Sequence, residues 1–252
     1  MKTINYDIIS DLYDLYVNTQ YDVSFYINEL KNVKGKILEL MCGTGRLSIP
    51  LLEHNIELTC IDYSEDMLKV FKNKIKDKGY KVKIVKMDVA ELCLCEEYAV
   101  IFIPFNSFSE IITEDKQKSV LSKIYKHLSN DGKFICTMYN PQYRVKLADG
   151  VLRTLGEYTK EDKTIIVKYL NKYDVYNKTI SGYQLYEIYD YKNKLEEKRK
   201  MEINFRVVEK NDFEEMLKVV GFKIINIYGN YDYSKYESTN SKYLVYDLKK
   251  VV

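Results

Sequence analysis

The chain lacks tryptophan and has only three prolines, two histidines and five cysteines among its 252 residues. An odd number of cysteines, most of them inside apolar runs, indicates reduced thiols in a cytoplasmic protein and argues against a disulfide-stabilised secreted domain. Cys93 and Cys95 are too close in sequence to form a zinc-binding pair, and no second pair lies nearby. The sequence therefore predicts no metal site.

The chain also lacks a charge imbalance and long hydrophobic runs. Its 39 basic and 37 acidic residues give a net charge of +2, so no strong field draws it to nucleic acid or to an anionic membrane. No apolar run reaches the roughly 18 residues that cross a bilayer. Residues 1–18 have neither the basic region nor the continuous apolar region of a signal peptide. We therefore expect a small-molecule partner, and a monomer or homodimer.

Strands alternating with helices are the main pattern that is present. Helical spacing of apolar residues occurs at 4–17, 22–32, 64–78, 114–128 and 212–220. Strand patterns occur at 36–41, 56–61, 81–86, 99–103, 134–139, 223–228 and 242–247. This alternation predicts an α/β fold with a doubly wound, mostly parallel sheet that helices cover on both faces.

The sequence pattern changes after residue 157. Long alternating segments at 164–173, 179–191 and 194–205 predict an antiparallel β meander. We therefore divide the chain into a core, 1–157 and 206–252, and an insertion, 158–205, that acts as a substrate lid.

A glycine turn separates the first strand of the core from the next helix. The turn, Glu39-Leu40-Met41-Cys42-Gly43-Thr44-Gly45, lies where backbone N–H groups point at a ligand and glycine permits close approach. A dinucleotide fingerprint would require a third glycine, but Ser48 holds that position. A nicotinamide-dependent oxidoreductase is therefore disfavoured.

Three acids accompany this turn. Glu39 precedes the first glycine by four residues and suits an ammonium group better than a phosphate. Asp62 ends the second strand, where a carboxylate accepts hydrogen bonds from ribose hydroxyls in doubly wound folds. Asp88 follows the third strand and is placed to accept from an adenine amino group. The pattern predicts a zwitterionic, nucleoside-containing ligand.

Residues 39–45, 61–67 and 87–89 resemble, in order and spacing, the three cofactor motifs of class I S-adenosylmethionine (SAM) dependent methyltransferases. A finer resemblance is to bacterial small-molecule methyltransferases such as sugar-amine N,N-dimethyltransferases, which carry Tyr-Asp in an N-terminal helix, here Tyr13-Asp14, and an antiparallel insertion after strand five. The resemblance implies a Rossmann-like, seven-stranded sheet with an antiparallel last strand.

The resemblance also implies the roles of individual residues. Glu39 would help to hold the methionine ammonium directly or through water, Asp62 the ribose, and Asp88 the adenine amine. Tyr63 and Met67 would pack near adenine, and Tyr13 and Tyr21 would cap the methionine end. The full cofactor-contacting set is Tyr13, Tyr21, Glu39, Met41, Cys42, Gly43, Thr44, Gly45, Arg46, Asp62, Tyr63, Met67, Met87, Asp88, Val89 and Ile103.

Substrate contacts are expected at the carboxyl ends of the strands and under the insertion. Phe105 and Asn106 follow the fourth strand, and Tyr139 and Tyr143 follow the fifth. Tyr183 and Tyr186 are candidates for an aromatic lid. The segment Tyr139-Asn140-Pro141-Gln142-Tyr143 differs from the Asn-Pro-Pro-Tyr loop of base-modifying methyltransferases in its third position and in its strand, so we interpret it as a strand-end turn.

No catalytic residue is evident, because His54 and His127 both lie away from the expected crevice. Methyl transfer to a neutral amine needs no dedicated base, whereas a hydroxyl usually benefits from one. We therefore favour N-methylation of a small molecule over O-methylation. A nucleic-acid methyltransferase and a non-catalytic SAM-binding protein remain as alternatives.

Overall fold

The first half of the chain alternates strands and helices as predicted. The structure is a computed structural model and describes residues 3–251. The strands are β1 (Ile37–Leu40), β2 (Leu58–Asp62), β3 (Val82–Lys86), β4 (Tyr98–Ile103) and β5 (Leu128–Tyr139). The helices are α1 (Tyr13–Tyr16), α2 (Val23–Leu30), α3 (Ser48–Glu53), α4 (Glu65–Ile75) and α5 (Glu114–His127).

The N-terminal segment is not the continuous helix that its spacing predicts. It forms a short 3-10 turn, Tyr6–Ile9, and then the single turn of α1. Ile4, Ile9 and Leu12 all insert into one apolar cluster on the antiparallel sheet. A straight helix would spread these three side chains over about 140° of its surface, so the backbone bends to bring them to one side.

The second half contains one helix and one strand that the sequence did not predict. Its elements are α6 (Pro141–Lys146), β6 (Arg153–Lys160), β7 (Lys163–Asp174), β8 (Thr179–Tyr189), β9 (Leu195–Arg206), α7 (Lys210–Val220), β10 (Phe222–Tyr228) and β11 (Tyr243–Lys250). The helix α6 replaces the predicted strand-end turn. The antiparallel sheet begins at β6, before the predicted insertion boundary at 158. β6 is an edge strand with no fully buried residue, so its apolar pattern is weak.

The large sheet has seven strands in the order β10-β11-β5-β4-β1-β2-β3. Neighbouring strands from β3 to β5 pair in parallel, whereas β11 pairs antiparallel with both β5 and β10. The doubly wound α/β fold and the antiparallel last strand are thus confirmed. The crossover between β1 and β4 places their carboxyl ends side by side, which is where such folds bind ligands.

Two apolar clusters cover the two faces of this sheet, and a third joins the N-terminal segment to the four-stranded sheet β6-β7-β8-β9. In the third cluster, Ile9 and Leu12 pack against Ile165 and Tyr186. The N-terminal segment therefore lies between the two sheets and closes the space above the carboxyl ends of β1, β2 and β4.

Candidate functional site

The backbone at the carboxyl end of β1 is held in unusual conformations. Met41, Gly43 and Gly45 have φ of 60°, 56° and 78°. A Cβ on Gly45 would lie 2.4 Å from the Phe71 ring, so no other residue fits there without rearrangement. Left-handed backbone at a non-glycine residue such as Met41 is uncommon and tends to occur at functional sites. The predicted glycine turn therefore has an unusual backbone conformation and is closely packed.

Asp62 organises this turn from the end of β2. Its side chain is 7% exposed, and its Oδ2 and Oδ1 atoms accept hydrogen bonds from the amides of Gly43 at 2.8 Å and Ser64 at 2.9 Å. Burial raises the pKa of Asp62, and the two amide hydrogen bonds oppose that rise. Each carboxylate oxygen has a second lone pair, so Asp62 can still accept from a ligand hydroxyl.

A cavity that we call the Asp62 cavity opens beside this carboxylate. Its lining residues are Thr3, Met41, Asp62, Tyr63, Met87, Asp88, Val89, Ala90, Glu110, Ile111, Ile112, Thr113 and Lys116. Asp88 is exposed, and one of its oxygens accepts from the Ala90 amide at 2.8 Å while the other stays free. The Tyr63 hydroxyl donates to the Ile4 carbonyl and so ties the N-terminal segment over the cavity. Six of the predicted cofactor residues meet here.

Nine other predicted cofactor residues do not line this cavity; they are Tyr21, Glu39, Cys42, Gly43, Thr44, Gly45, Arg46, Met67 and Ile103. Glu39 is 1% exposed and accepts a hydrogen bond from Ser48 Oγ at 2.6 Å. Burial raises the pKa of Glu39 to about 8. Its carboxyl group therefore lies enclosed beneath the glycine turn.

Arg46 is engaged within the protein itself. Its guanidinium donates to both oxygens of Asp22 at 2.7 and 2.6 Å and to the Thr19 carbonyl at 2.8 Å. Asp22, the residue directly before α2, makes this ion pair, and its side chain makes no capping hydrogen bond. The guanidinium also lies 4.6 Å from the Phe105 ring centroid, and Tyr21 stacks against that ring from 6.5 Å. Arg46 thus fixes Phe105.

A second cavity, of about 280 Å³, lies between the N-terminal segment and the antiparallel sheet. We call it the Arg144 cavity. It is lined by Tyr6, Tyr13, Tyr16, Val17, Phe105, Arg144, Leu147, Leu155, Tyr169, Asn171, Gln184, Met201, Ile203 and Phe205. Its volume is near the lower end of pockets that hold small molecules, roughly 300–1,000 Å³. Of the predicted residues, Phe105 and Tyr13 line it.

The remaining predicted substrate residues do not line the Arg144 cavity. Asn106 Oδ1 accepts from the Tyr139 amide at 2.8 Å, so Asn106 joins the ends of β4 and β5. Asn106 and Tyr139 line a smaller adjoining cavity. Tyr143 is 37% exposed at the surface. The two lid candidates differ, because Tyr186 is fully buried beneath Tyr16, whereas Tyr183 stacks with Lys200 on the opposite face of its sheet.

A hydrogen bond links the two cavities, and the sequence interpretation missed both of its residues. The Tyr6 hydroxyl, which lines the Arg144 cavity, donates at 3.0 Å to Oε1 of Glu110, which lines the Asp62 cavity. Burial raises the pKa of Glu110 to about 8, and the hydrogen bond from Tyr6 opposes the rise. One sequence signal could have identified Glu110: it is an acidic residue in the turn that follows β4.

Neither histidine approaches a cavity. His54 ends α3 at the surface, and His127 accepts the Leu94 amide at 2.9 Å. Across residues 3–251 no group of His, Cys, Asp and Glu could hold a metal ion. No described helix is both long and apolar enough to traverse a bilayer.

Comparison with known proteins agrees with this geometry. A family model described as a methyltransferase domain matches residues 37–132. Carboxy-S-adenosyl-L-methionine synthase from Nautilia profundicola is 31% identical over 211 residues, covering 82% of this chain and 78% of that protein. A glycine/sarcosine/dimethylglycine N-methyltransferase from Actinopolyspora halophila is 31% identical over 135 residues, 52% of this chain and 24% of that protein.

The solved structure of an S-adenosylmethionine-dependent methyltransferase from Clostridium acetobutylicum has the same fold. The TM-score is 0.81 at 22% identity, and the match covers 98% of this chain and 99% of that one. The matched family model begins at β1 and includes the glycine turn, Asp62 and Asp88. From the sequence relationship and these motifs together, the chain belongs to the class I SAM-dependent methyltransferase family.

Proposed function

We propose that this enzyme transfers a methyl group from SAM to a small-molecule acceptor held in the Arg144 cavity, and that the acceptor atom is an amine nitrogen. One observation carries the proposal. The Tyr6–Glu110 hydrogen bond of 3.0 Å joins the lining of the Asp62 cavity to that of the Arg144 cavity. A cofactor in the first cavity and an acceptor in the second would therefore be neighbours.

The residues of the Asp62 cavity fit SAM, which supplies an electrophilic methyl group on a sulfonium when it is bound. The buried Asp62 carboxylate is placed to accept from ribose hydroxyls, and the free oxygen of Asp88 to accept from an amino group. Met41, Met87 and Val89 provide apolar walls for a purine ring. The role of Glu39 toward the methionine ammonium stays a prediction, because its carboxyl group is enclosed beneath the turn.

The lining of the Arg144 cavity favours an amine acceptor. Its hydroxyl groups belong to tyrosines, and burial raises the pKa values of Tyr6, Tyr13 and Tyr16, so these groups stay protonated. Neither a histidine nor a carboxylate is among the residues lining this cavity. A hydroxyl acceptor would thus lack an adjacent base, whereas a neutral amine needs only to be held in line with the methyl group.

The antiparallel sheet contributes to this cavity as the predicted lid would. Tyr169 and Asn171 come from β7, Gln184 from β8, and Met201, Ile203 and Phe205 from β9. We propose that this sheet selects the acceptor. An accessible cavity beside the cofactor also argues against a SAM-binding protein that has lost its acceptor site.

A second candidate reaction comes from one of the relatives. The Nautilia protein is named as a synthase of carboxy-SAM, and its similarity spans most of this chain. If this chain shared that activity, its cofactor product would be SAM bearing an added carboxyl group. Methyl transfer instead yields S-adenosylhomocysteine. Mass spectrometry of the cofactor products therefore separates the two reactions.

The first experiment is calorimetric titration with SAM, with S-adenosylhomocysteine and, as a control, with NADH. We expect micromolar binding of the first two ligands and no binding of NADH. Amines and then alcohols are next screened as acceptors by formation of S-adenosylhomocysteine. Failure to bind SAM would overturn the proposal, and turnover with alcohols alone would overturn the preference for nitrogen.

A further inference from the structure

Within residues 3–251, Arg144 is the only charged residue that lines the Arg144 cavity. It lies on α6, directly after β5, and its amide donates to the Asn140 carbonyl at 2.9 Å. Asn140 in turn donates from Nδ2 to the carbonyls of Ser238 and Ser241, each at 2.8 Å. The start of this short helix is therefore anchored to the loop before β11, which gives Arg144 a defined position.

The guanidinium of Arg144 is held by aromatic rings. Its central carbon lies 5.3 Å from the Tyr139 ring centroid and 5.0 Å from that of Phe205. Such stacking orients the plane of the guanidinium and leaves its N–H groups available at the edge. The guanidinium therefore presents neighbouring N–H donors to the cavity.

No carboxylate within residues 3–251 pairs with this group, and its Nε is buried without a hydrogen-bond partner. The other four arginines each pair with an acid: Arg46 with Asp22, Arg153 with Asp149, Arg199 with Asp11, and Arg206 with Glu114. A partly buried cation without a counter-ion is costly, so an external anion would stabilise it.

A second group in this cavity also lacks a partner. The Oδ1 atom of Asn171 is buried without a hydrogen bond, and Asn171 and Arg144 both line the cavity. The ligand that satisfies these residues must therefore offer both an anion and a hydrogen-bond donor. An amine that bears a carboxylate has both.

We propose that Arg144 binds a carboxylate on the methyl acceptor, so that the acceptor is an amino acid or another carboxylate-bearing amine. This inference rests on the proposed function. A carboxylate matches the single charge and the forked donors of one guanidinium. A phosphate dianion would keep an unbalanced charge, because among residues 3–251 no lysine and no second arginine lines this cavity.

The test measures binding directly and does not require knowledge of the true acceptor. Wild-type protein is titrated with acetate, phenylacetate and L-phenylalanine, with the corresponding amides, which lack the carboxylate charge, and with benzylphosphonate. Binding is followed by thermal shift and calorimetry. We expect at least one carboxylate to bind and its amide to bind far more weakly. Arg144→Met should weaken that binding about thirtyfold or more, and Arg144→Lys should restore part of it.

Arg206→Met is the matched control, because Arg206 already pairs with Glu114 at 2.8 Å. It should leave carboxylate binding unchanged, while Arg144→Met should melt no lower than wild type since it removes an unpaired charge. Equal binding of acid and amide, binding that survives in Arg144→Met, binding of the phosphonate alone, or no binding of any carboxylate would each overturn the proposal. SAM titration of the same variants reports separately on the proposed function, because Arg144→Met should bind SAM as wild type does.

Discussion

Replacing Glu39 by glutamine should flatten the dependence of stability on pH. Glu39 lies in the central strand β1, is 1% exposed and has a pKa of about 8 instead of 4.5 because burial disfavours its ionised form. Between these two pH values the folded chain binds a proton that the unfolded chain has lost. The contribution of Glu39 is thus fully present below pH 4.5 and is lost as pH rises through about 8.

The magnitude follows from this linkage. One such proton changes the free energy of unfolding by at most about 1.4 kcal/mol per pH unit, or about 2.7 kcal/mol between pH 5.5 and pH 7.5. Glutamine has nearly the same shape and can accept the hydrogen bond from Ser48, but it does not ionise. The wild type should therefore lose stability relative to Glu39→Gln by this amount across the interval.

Urea unfolding at pH 5.5, 6.5 and 7.5 and constant ionic strength measures the effect. Glu57→Gln is the control, because the Glu57 side chain is 65% exposed and forms only a surface ion pair with Lys81. Parallel curves for wild type and Glu39→Gln would refute the reasoning. Calorimetry in buffers of different ionisation enthalpy extends the test: if Glu39 serves the methionine ammonium, SAM binding near pH 7 releases a proton in wild type and none in the variant.

Three further predictions concern the site. Asp62→Ala should weaken SAM binding about ten- to hundredfold by removing a charge-assisted hydrogen bond to ribose, whereas Asp66→Ala should not; unchanged affinity in folded Asp62→Ala would contradict the assignment. Gly45→Ala should lower the free energy of unfolding by about 2–4 kcal/mol in urea titrations, because its Cβ would lie 2.4 Å from the Phe71 ring. Gly79→Ala shares a positive φ but meets nothing within 4 Å, so an equal loss there would show that the close contact does not matter. Tyr6→Phe should raise the pKa of Glu110 above about 8, since the hydrogen bond from Tyr6 opposes the effect of burial; a lower pKa in a carbon-13 NMR titration of labelled glutamate would contradict this.

Part of the Asp62 cavity lining was predictable because its signals are local in sequence. Strands β1, β2 and β4 are short apolar runs; the glycine turn follows β1, and Asp62 is the last residue of β2. Gly45 and Asp62 could be recognised from these positions alone, since parallel strands bring their carboxyl ends to one edge. The resemblance to methyltransferases then added the seven-stranded sheet with its antiparallel last strand, which the structure has.

The lining of the Arg144 cavity was less predictable because its contacts are distant in sequence. Tyr6 meets Glu110 across 104 positions, and Tyr16 meets Tyr186 across 170. No spacing rule links such residues. Arg144 belongs to no sequence motif, and its significance comes only from the absence of a paired carboxylate among the described residues of the folded chain. The edge strand β6 was missed for a related reason, since it buries too little to leave a pattern.

The two cavities are lined by different parts of the chain. Every residue of the Asp62 cavity except Thr3 falls within 37–132, the part that matches the methyltransferase domain model, whereas Phe105 alone among the residues lining the Arg144 cavity does so. If the two cavities hold cofactor and acceptor as proposed, changes in the N-terminal segment and the antiparallel sheet would alter which molecule is methylated and leave the cofactor site intact.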